Sequence, residues 1–266
     1  MEPVFEPVGW GMSVVIPTLI GSIAFGFFLL FGLGGIFHRY YFKHRKDQKD
    51  EWKIQPRRWP SDERVKTAIK YSSMNLVFGG ITGTFLTLWV LNHGWTMLSF
   101  NASDFPWYYH PFSFFLTVML MDLYLYYSHR FLHSELLFES CHMIHHKWLD
   151  PHIYTTVAMH PIEFFLFQMG LIIPMFVVPQ FWPVFILAVM YTYLIGMIDH
   201  SGVRIKMPWW TIHGGSNQFH DDHHKFFHVN FGHHTGIWDK LHGTVRREDR
   251  EYGANIYGGK GRKSAK

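Results

Sequence analysis

Histidine is concentrated in one part of this chain, in patterns that suit metal binding. Of its 20 histidines, 16 fall between residues 129 and 242. The segment 129-HRFLHSELLFESCHMIHH-146 contains an HxxxH pair and an HxxHH set, and 220-HDDHH-224 contains a second HxxHH set. Helical residues three and four apart share a face, so each set is expected to present its imidazoles together. Neutral imidazole binds first-row transition metals well, and eight such side chains exceed what one ion of about four to six ligands can use, so we predict two metal ions.

The identity of the metal follows from what accompanies the histidines. The HExxH pattern of zinc hydrolases and the HxE and PCxxC pattern of zinc deaminases are both missing from the sequence. The single cysteine, Cys141, excludes an intramolecular disulfide and a cysteine-based cluster. Iron that activates dioxygen is the most economical interpretation of two all-nitrogen sites beside a hydrocarbon phase.

The elements that carry these histidines belong to a membrane protein. Hydrophobic residues make up 48% of the chain and charged residues only 17%, which is typical of an integral membrane protein. Apolar runs cover 13–37, 74–91, 112–128, 164–178 and 181–198, and the first three approach the ~20 residues that a bilayer core requires. The last two, separated by prolines, predict a hairpin. We therefore expect an all-α, polytopic transmembrane domain with four or five membrane segments and a histidine-rich cap that binds two metals.

Basic residues predict the orientation of these segments. The stretch 38-HRYYFKHRKDQKDEWKIQPRR-58 is strongly basic, whereas 1-MEPVFEPVGW-10 has no Lys or Arg, so the first span is expected to run into the cytosol. Counting onward places the histidine cap and the C-terminus in the cytosol and 92–111 in the lumen, where Asn101 is a possible glycosylation acceptor. The net charge of +4 suits anionic headgroups, and no nucleic-acid motif accompanies it.

The ordered motifs resemble those of the fatty acid hydroxylase/sterol desaturase superfamily, which carries HxxxH, HxxHH and HxxHH boxes in this order. The resemblance covers roughly residues 110–246 and includes 159-MHPIE-163, 199-DHSG-202, 229-VNFG-232 and 238-WDKLHGT-244. It implies a domain division into a membrane region with a basic loop (1–109), a catalytic domain (110–246) and a flexible basic tail (247–266). The implied ligand set is His129, His133, His142, His145, His146, His220, His223 and His224, with His200 and His160 as further members.

Carboxylates near the boxes are candidates for orienting the ligand rings. Asp122 lies two helical turns before His129, on the same face, so its carboxylate is expected to hold the second nitrogen of that ring. Glu163, Asp199 and Asp239 invite the same hypothesis, with helix caps or ion pairs as the alternative. The family pattern does not require His228, His233 or His234 as ligands.

The resemblance implies a dioxygen-dependent di-iron enzyme of the endoplasmic reticulum that hydroxylates or desaturates a membrane lipid. The segments DHSG, Pro208-Trp209 and WDKLHGTVR favour a 4-methyl sterol or a sterol side chain as substrate; a sterol 5-desaturase and a sphingoid-base or fatty acyl hydroxylase are alternatives. The sequence has neither a GxGxxG fingerprint nor an HPGG haem segment, so electrons are expected from a cytochrome b5-type donor or its reductase. From other classes, a histidine-rich metal transporter and an inactive membrane scaffold stay open.

Overall fold

Helices form most of the chain in the computed structural model, which describes residues 5–206 and 217–264. The segment Pro208-Trp209, used above to judge the substrate, lies outside the described residues. In chain order the helices are α1 (Met12–Phe27), α2 (Gly34–His38), α3 (Lys49–Trp52), α4 (Asp62–Leu91), α5 (Tyr109–Leu132), α6 (Pro161–Ile172), α7 (Pro174–Val177), α8 (Trp182–Asp199), α9 (Gln218–Phe226) and α10 (Ile237–His242).

Three helical stretches of the described chain are long and apolar enough to cross a bilayer. They are Met12–His44, Asp62–Leu91 and Trp182–Asp199. The first is one continuous rod in which π-helical turns, Phe28–Leu33 and Arg39–His44, interrupt the α-helix. Helix α5, which covers the predicted span 112–128, lies outside this set because Asp122 and several tyrosines dilute its apolar run. The α6–α7 pair supplies the short apolar segment Pro161–Val177. The fold is thus the predicted polytopic helical one, with a segment count that depends on α5 and the α6–α7 pair.

The two N-terminal long helices pack closely because α4 lacks a side chain at the crossing. A Cβ added at Gly80 would overlap the Ile23 side chain and lie 3.1 Å from the Ile23 Cα. Ser61 begins α4 as an N-cap whose hydroxyl accepts a hydrogen bond from the Arg64 amide at 3.3 Å, satisfying one of the free amides of the first turn.

A shared core joins these helices to the histidine-bearing part of the chain. Buried Leu30 and Leu76 pack with Phe164 and Met197 in one apolar cluster. Within it, the Asn75 side-chain amide donates to the carbonyls of Val157 (2.8 Å) and Met159 (2.9 Å). Residues on both sides of the predicted 109/110 boundary therefore contribute to the same core.

The end of the bundle remote from the histidine boxes is closed by a short sheet. Strands β1 (Leu98–Ser99) and β2 (Gln180–Phe181) pair in parallel. Thr117 of α5 donates to the Gln180 side chain at 3.0 Å, so α5 and α8 both start near this sheet. Their carboxyl ends consequently meet at the opposite end, where the histidines lie.

At that opposite end the basic loop folds back onto the cap. Lys53 forms an antiparallel bridge with Val203, and the Ile54 amide donates to the Gly202 carbonyl at 3.0 Å. The Gln55 amide donates to Asp221 of α9 at 2.7 Å. The part of the chain before α4 and the segments after α8 are therefore on the same side of the bundle.

The C-terminal segment, for which we predicted a flexible tail over 247–266, contains a pair of short strands among its described residues. Strands β3 (Arg250–Glu251) and β4 (Arg262–Lys263) pair in antiparallel fashion, and the Ala254 carbonyl between them lies 2.8 Å from His228 Nε2. Gly258, Gly259 and Gly261 all have positive φ, a conformation that glycine adopts without strain. These glycines form the return between the strands, whereas their composition alone had suggested disorder.

Candidate metal centre

Nine of the ten predicted ligands come together in two groups of buried imidazoles. Within each group the potential ligand nitrogens all lie within 4.8 Å of one another, and no member is more than 4% exposed. Group 1 consists of His129, His133, His142, His146 and His223, and group 2 of His145, His200, His220 and His224. No residue belongs to both groups, as expected for two separate ions.

Each HxxHH box serves both groups, which differs from the expectation that its members point the same way. On α9, His220 and His224 belong to group 2 and His223 to group 1. Residues four apart on a helix differ by about 40° in direction, whereas the residue three along lies on the other side of the first by about 60°. The earlier box lies in a 3₁₀ turn, His142–Lys147, and it too is divided between the groups.

Hydrogen bonds fix which nitrogen carries the proton in three of the group 1 rings. Nδ1 of His129 lies 2.8 Å from the Phe231 carbonyl, Nδ1 of His142 lies 2.8 Å from Glu163 Oε1, and Nδ1 of His223 lies 2.6 Å from the Val229 carbonyl. Carbonyl and carboxylate oxygens only accept, so each Nδ1 donates and each neutral ring keeps an unprotonated Nε2.

The unprotonated nitrogens face one another. The Nε2 atoms of His129 and His142 are 3.2 Å apart. Burial lowers the pKa of His142 well below 6.5, and neighbouring histidines lower it further, so this ring carries no extra proton toward His129 at neutral pH. Two lone pairs at this distance repel, and a bound cation between them removes the repulsion. Group 1 therefore fits a metal ion.

The same reasoning applies to group 2. Nδ1 of His145 lies 3.2 Å from the Ala158 carbonyl and Nδ1 of His200 lies 2.7 Å from the Gly196 carbonyl, so both donate. Their Nε2 atoms are 3.1 Å apart, and His220 Nε2 lies 3.0 Å from that of His200. Neither ring nitrogen of the fully buried His224 has a hydrogen-bond partner among the described residues. A metal ion would satisfy all four rings.

His228 supports group 1 from outside, a role that the sequence patterns did not reveal. Its Nε2 donates to the Ala254 carbonyl at 2.8 Å, so its Nδ1 is the acceptor for His133 Nδ1, 3.0 Å away. His133 is thereby left with an unprotonated Nε2, which lies 3.2 Å from His146 Nε2. The C-terminal segment thus sets the tautomer of a predicted ligand. Only the fold could show this, because His228 and Ala254 are 26 residues apart.

The carboxylate that orients a ligand ring is Glu163, whereas Asp122 acts elsewhere. The expected contact between Asp122 and His129 is replaced by the bond from His129 to Phe231. Asp122 accepts instead from the amides of His234 (2.8 Å) and Thr235 (3.3 Å), from the Thr235 hydroxyl (2.6 Å) and from the Trp238 indole (2.8 Å). It therefore anchors the segment after Phe231. Two helical turns of separation are too long for a direct contact along α5.

Asp239 completes the support of this segment. Its carboxylate accepts from the amides of Phe231 (2.9 Å) and Gly232 (2.7 Å) and from the Thr244 hydroxyl (2.6 Å). Asp122 and Asp239 hold the loop whose Phe231 carbonyl orients His129. No hydrogen bond involving the Asp199 side chain places it against a ligand ring in the described structure.

His160 is the predicted ligand that the structure does not bring into either group. It is the N-cap of α6, where its Nδ1 accepts from the Ile162 amide at 3.2 Å, and it is only partly buried. Its neighbour Glu163, in the first turn of the same helix, is the residue that reaches group 1. The HPIE segment thus contributes a carboxylate to the site through an N-cap that starts the helix.

An apolar cavity of about 580 Å³ lies between α4, α6 and α8 and extends toward the short sheet, where Leu98 of β1 and Trp182 at the start of α8 also line it. Its walls include Leu86, Leu171 and Val189, with Gln168 among the few polar residues. Phe167, adjacent to Gln168, places its ring 5.9 Å from that of His129. The cavity volume is in the range of small-ligand sites, and α6 runs continuously from the centre along its wall.

Comparison with known proteins agrees with this geometry. Residues 114–244 match the fatty acid hydroxylase family. The chain is 32% identical to a Delta(7)-sterol 5(6)-desaturase of Aspergillus fumigatus over 64% of this chain and 47% of that protein. It is 28% identical to human lathosterol oxidase over 69% of this chain and 62% of that protein, and 30% identical to a Delta(7)-sterol 5(6)-desaturase of Schizosaccharomyces pombe over 60% and 52%.

The chain spans about half of the length of most of these relatives. No solved structure matches it. The matched segment contains every member of both histidine groups together with Asp122, Glu163 and Asp239. The agreement of ordered boxes, paired imidazole groups and the family match leads to one conclusion: residues 114–244 of this chain are a segment of the fatty acid hydroxylase family, and the chain is similar to sterol desaturases.

Proposed function

We propose that this protein is a di-iron membrane oxidoreductase that uses dioxygen to oxidise a sterol. The observation that carries the proposal is the pair of histidine groups whose Nε2 lone pairs face one another at 3.0–3.2 Å. Their donors are all nitrogen, which suits iron as well as other first-row metals, and a bound iron pair beside apolar side chains would suit dioxygen chemistry.

Among sterol reactions we propose 5(6)-desaturation. The names of the relatives support this reaction, which the sequence motifs had left as an alternative to oxidation at a 4-methyl group or the side chain. When bound, the iron pair supplies the redox chemistry by which dioxygen is reduced. Each turnover takes two hydrogen atoms from the sterol, adds two electrons from a donor and two protons, and yields the alkene and two molecules of water.

The chain's own residues hold this centre and keep it dry. Glu163, Phe231 and Val229 fix the tautomers of three group 1 rings. Phe167 and Phe231 each place a ring 5.9 Å from His129, excluding water on the side of the bundle. We place the apolar part of the sterol in the cavity between α4, α6 and α8, so that its oxidised end reaches the centre past Phe167.

The partners and location follow from this proposal. A cytochrome b5-type donor or its reductase delivers the electrons at the endoplasmic reticulum, with the histidine cap and C-terminus in the cytosol. The metal groups lie at helix ends and in the segments that follow, whereas a metal transporter would place its ligands along a path through the middle of the membrane.

The test is complementation of cells that lack their own Delta(7)-sterol 5(6)-desaturase. Sterol profiles should show the 5(6)-unsaturated product with the wild-type chain and only the precursor with His145→Ala. Accumulation of a hydroxylated or 4-demethylated sterol would redirect the proposal to another sterol position. An unchanged lipid profile, with the protein expressed and loaded with iron, would refute sterol oxidation.

A further inference from the structure

We infer that the C-terminal end of the first helical rod, Met12–His44, carries a binding groove for an anionic phospholipid. The groove has a volume of about 600 Å³ and lies between the rod, from Phe31 to Lys43, and Tyr154. It is separate from both histidine groups and from the cavity that we assign to the sterol.

The groove changes from apolar to cationic along the axis of the rod. Phe31 and Ile36 line the part nearer the N-terminus of the rod, whereas Arg39 and Lys43 line the part nearer its C-terminus. The stretch from Phe31 to Lys43 is about 18 Å long, at a helical rise of ~1.5 Å per residue. The apolar part belongs to a stretch able to cross a bilayer and suits the hydrocarbon chains of a lipid. The cationic part suits a negative headgroup at the membrane surface.

The two cations have no acidic partner in the described part of the chain. Arg45, slightly further on, pairs with Glu51 at 2.9 Å, but no ion pair there involves Arg39 or Lys43. Residues four apart on a helix lie on one face, so both charges can address the same phosphate. Arg39 and Lys43 are therefore suited to bind an anionic ligand from outside the protein.

Two neutral polar groups also lack partners at the groove. Nδ1 of His38 is buried and has no hydrogen bond among the described residues. No hydrogen bond of the Tyr154 hydroxyl occurs there either, and this hydroxyl lies 3.4 Å from the position that a Cβ of Gly35 would take. Glycine at 35 thus leaves the hydroxyl accessible from the groove, where phosphate oxygens would accept from it.

Local backbone geometry shapes the groove. π-Helical turns lie at Phe28–Leu33 and Arg39–His44, one at each end of the lining stretch, and such turns are rare and occur mostly at functional sites. Simple retention of positive charge on the cytosolic side would require neither these turns nor a cavity.

The experiment measures lipid binding to the purified full chain by native mass spectrometry. The probes are 1-palmitoyl-2-oleoyl phosphatidylserine and the matching phosphatidylcholine. We expect one phosphatidylserine bound preferentially, with affinity lowered about 30-fold in Arg39→Gln/Lys43→Gln, since each basic residue contributes about fivefold. Lys66→Gln/Lys70→Gln is the matched control, because these exposed residues have the same spacing on α4 outside the groove.

Each contrary result would overturn the groove. Equal binding of phosphatidylcholine would remove the headgroup from the proposal, and equal losses in the two double variants would reduce it to diffuse attraction. Displacement of the lipid by inorganic phosphate would indicate a simple anion site. Gly35→Leu, which fills the floor and keeps both charges, should block binding; wild-type affinity in this variant would exclude the groove. Metal content equal to wild type serves as the folding control throughout.

Discussion

At the scale of single residues, the centre depends on oxygen atoms that hold the outer nitrogen of five of the nine imidazoles. Among the residues that the structure describes, Glu163 is the one side-chain carboxyl that does so in group 1, at 2.8 Å from His142. It is fully buried, and its position in the first turn of α6 is set by the His160 N-cap. A carboxyl oxygen that accepts from Nδ1 fixes the tautomer and orientation of the ring and leaves Nε2 available to a metal.

Replacing Glu163 with glutamine is therefore expected to weaken metal binding to group 1 about 10–100-fold, the usual effect of losing such a partner. The amide keeps the size and one acceptor oxygen, but its NH₂ group can turn a donor toward Nδ1 and disturb the tautomer of His142. Equilibrium dialysis with Fe²⁺ or Co²⁺ measures the effect. His160→Ala is the control: it should retain both metals and cost about 1 kcal/mol of stability through the lost cap. If His160→Ala weakened metal binding and Glu163→Gln did not, His160 and not Glu163 would be the residue that supports group 1.

Asp122 makes a different prediction because four donors converge on its carboxylate. In Asp122→Asn one oxygen becomes an NH₂ group that faces donors, so the loop from Phe231 to Trp238 should loosen. We expect a loss of about 2–3 kcal/mol, as for buried hydrogen bonds to a charged group. Faster proteolysis within 231–238, accompanied by weaker group 1 metal binding, would be the signature. Full loop protection with lost activity would instead indicate that the carboxylate acts directly on substrate.

These residues show how far the sequence could predict the centre. Local spacing was enough to select His129, His133 and the members of both HxxHH boxes, because ligands so close in sequence are brought together by any turn or helix. Spacing could not select between Asp122 and Glu163, or reveal His228, since their partners are 21 to 116 residues distant and are set by packing. His160 was chosen from a motif in which the neighbouring carboxylate contacts the site.

At the scale of elements, the packing of α1 on α4 brings the first rod against the histidine-bearing half. Gly80 allows this approach: any Cβ there would collide with Ile23. Gly83, less than one turn later, has no atom within 4 Å of its Cβ position. The two glycines therefore offer a matched pair on one helix.

We expect Gly80→Ala to destabilise the protein by about 1–3 kcal/mol, as overpacking does, and Gly83→Ala to be neutral or stabilising by up to about 1 kcal/mol through helix propensity. Thermal unfolding in detergent, followed by fluorescence-detected gel filtration, compares them. The same Tm for both variants would mean that α1 moves away from α4 without cost.

Apolar runs predicted where these helices lie, but not their irregularities. The docking of Lys53 and Gln55 on the cap depends on contacts with residues about 90 to 170 positions away. A basic loop seen in sequence as a solvated connection is in fact part of the cap. Side-chain pattern alone gives no signal of that kind.

At the scale of the whole molecule, the ligand-bearing segments and the basic loop that comes directly after the first rod meet at one end of the bundle. Asn101 lies toward the other end. A glycosylation acceptor created by Arg247→Asn/Asp249→Thr should stay unmodified in microsomes, because we place this end in the cytosol. Both positions are exposed, with side chains 62% and 60% accessible. Asn101, exposed in its loop, is the internal reference for the lumenal side. A glycan at 247 would invert the proposed orientation.

The two histidine groups share no residue, so the molecule should hold two metals that can be lost one at a time. Wild-type protein reconstituted with iron should contain about two ions per chain. His145→Ala removes a group 2 ring and should leave about one ion, bound by group 1. His223→Ala removes a group 1 ring and should leave about one ion, bound by group 2. Elemental analysis gives the count, and Co²⁺ spectra of the variants should differ because the donor numbers differ. Loss of both ions in either variant would show that the groups fold only as a unit, whereas two ions in both would mean that these rings are not ligands.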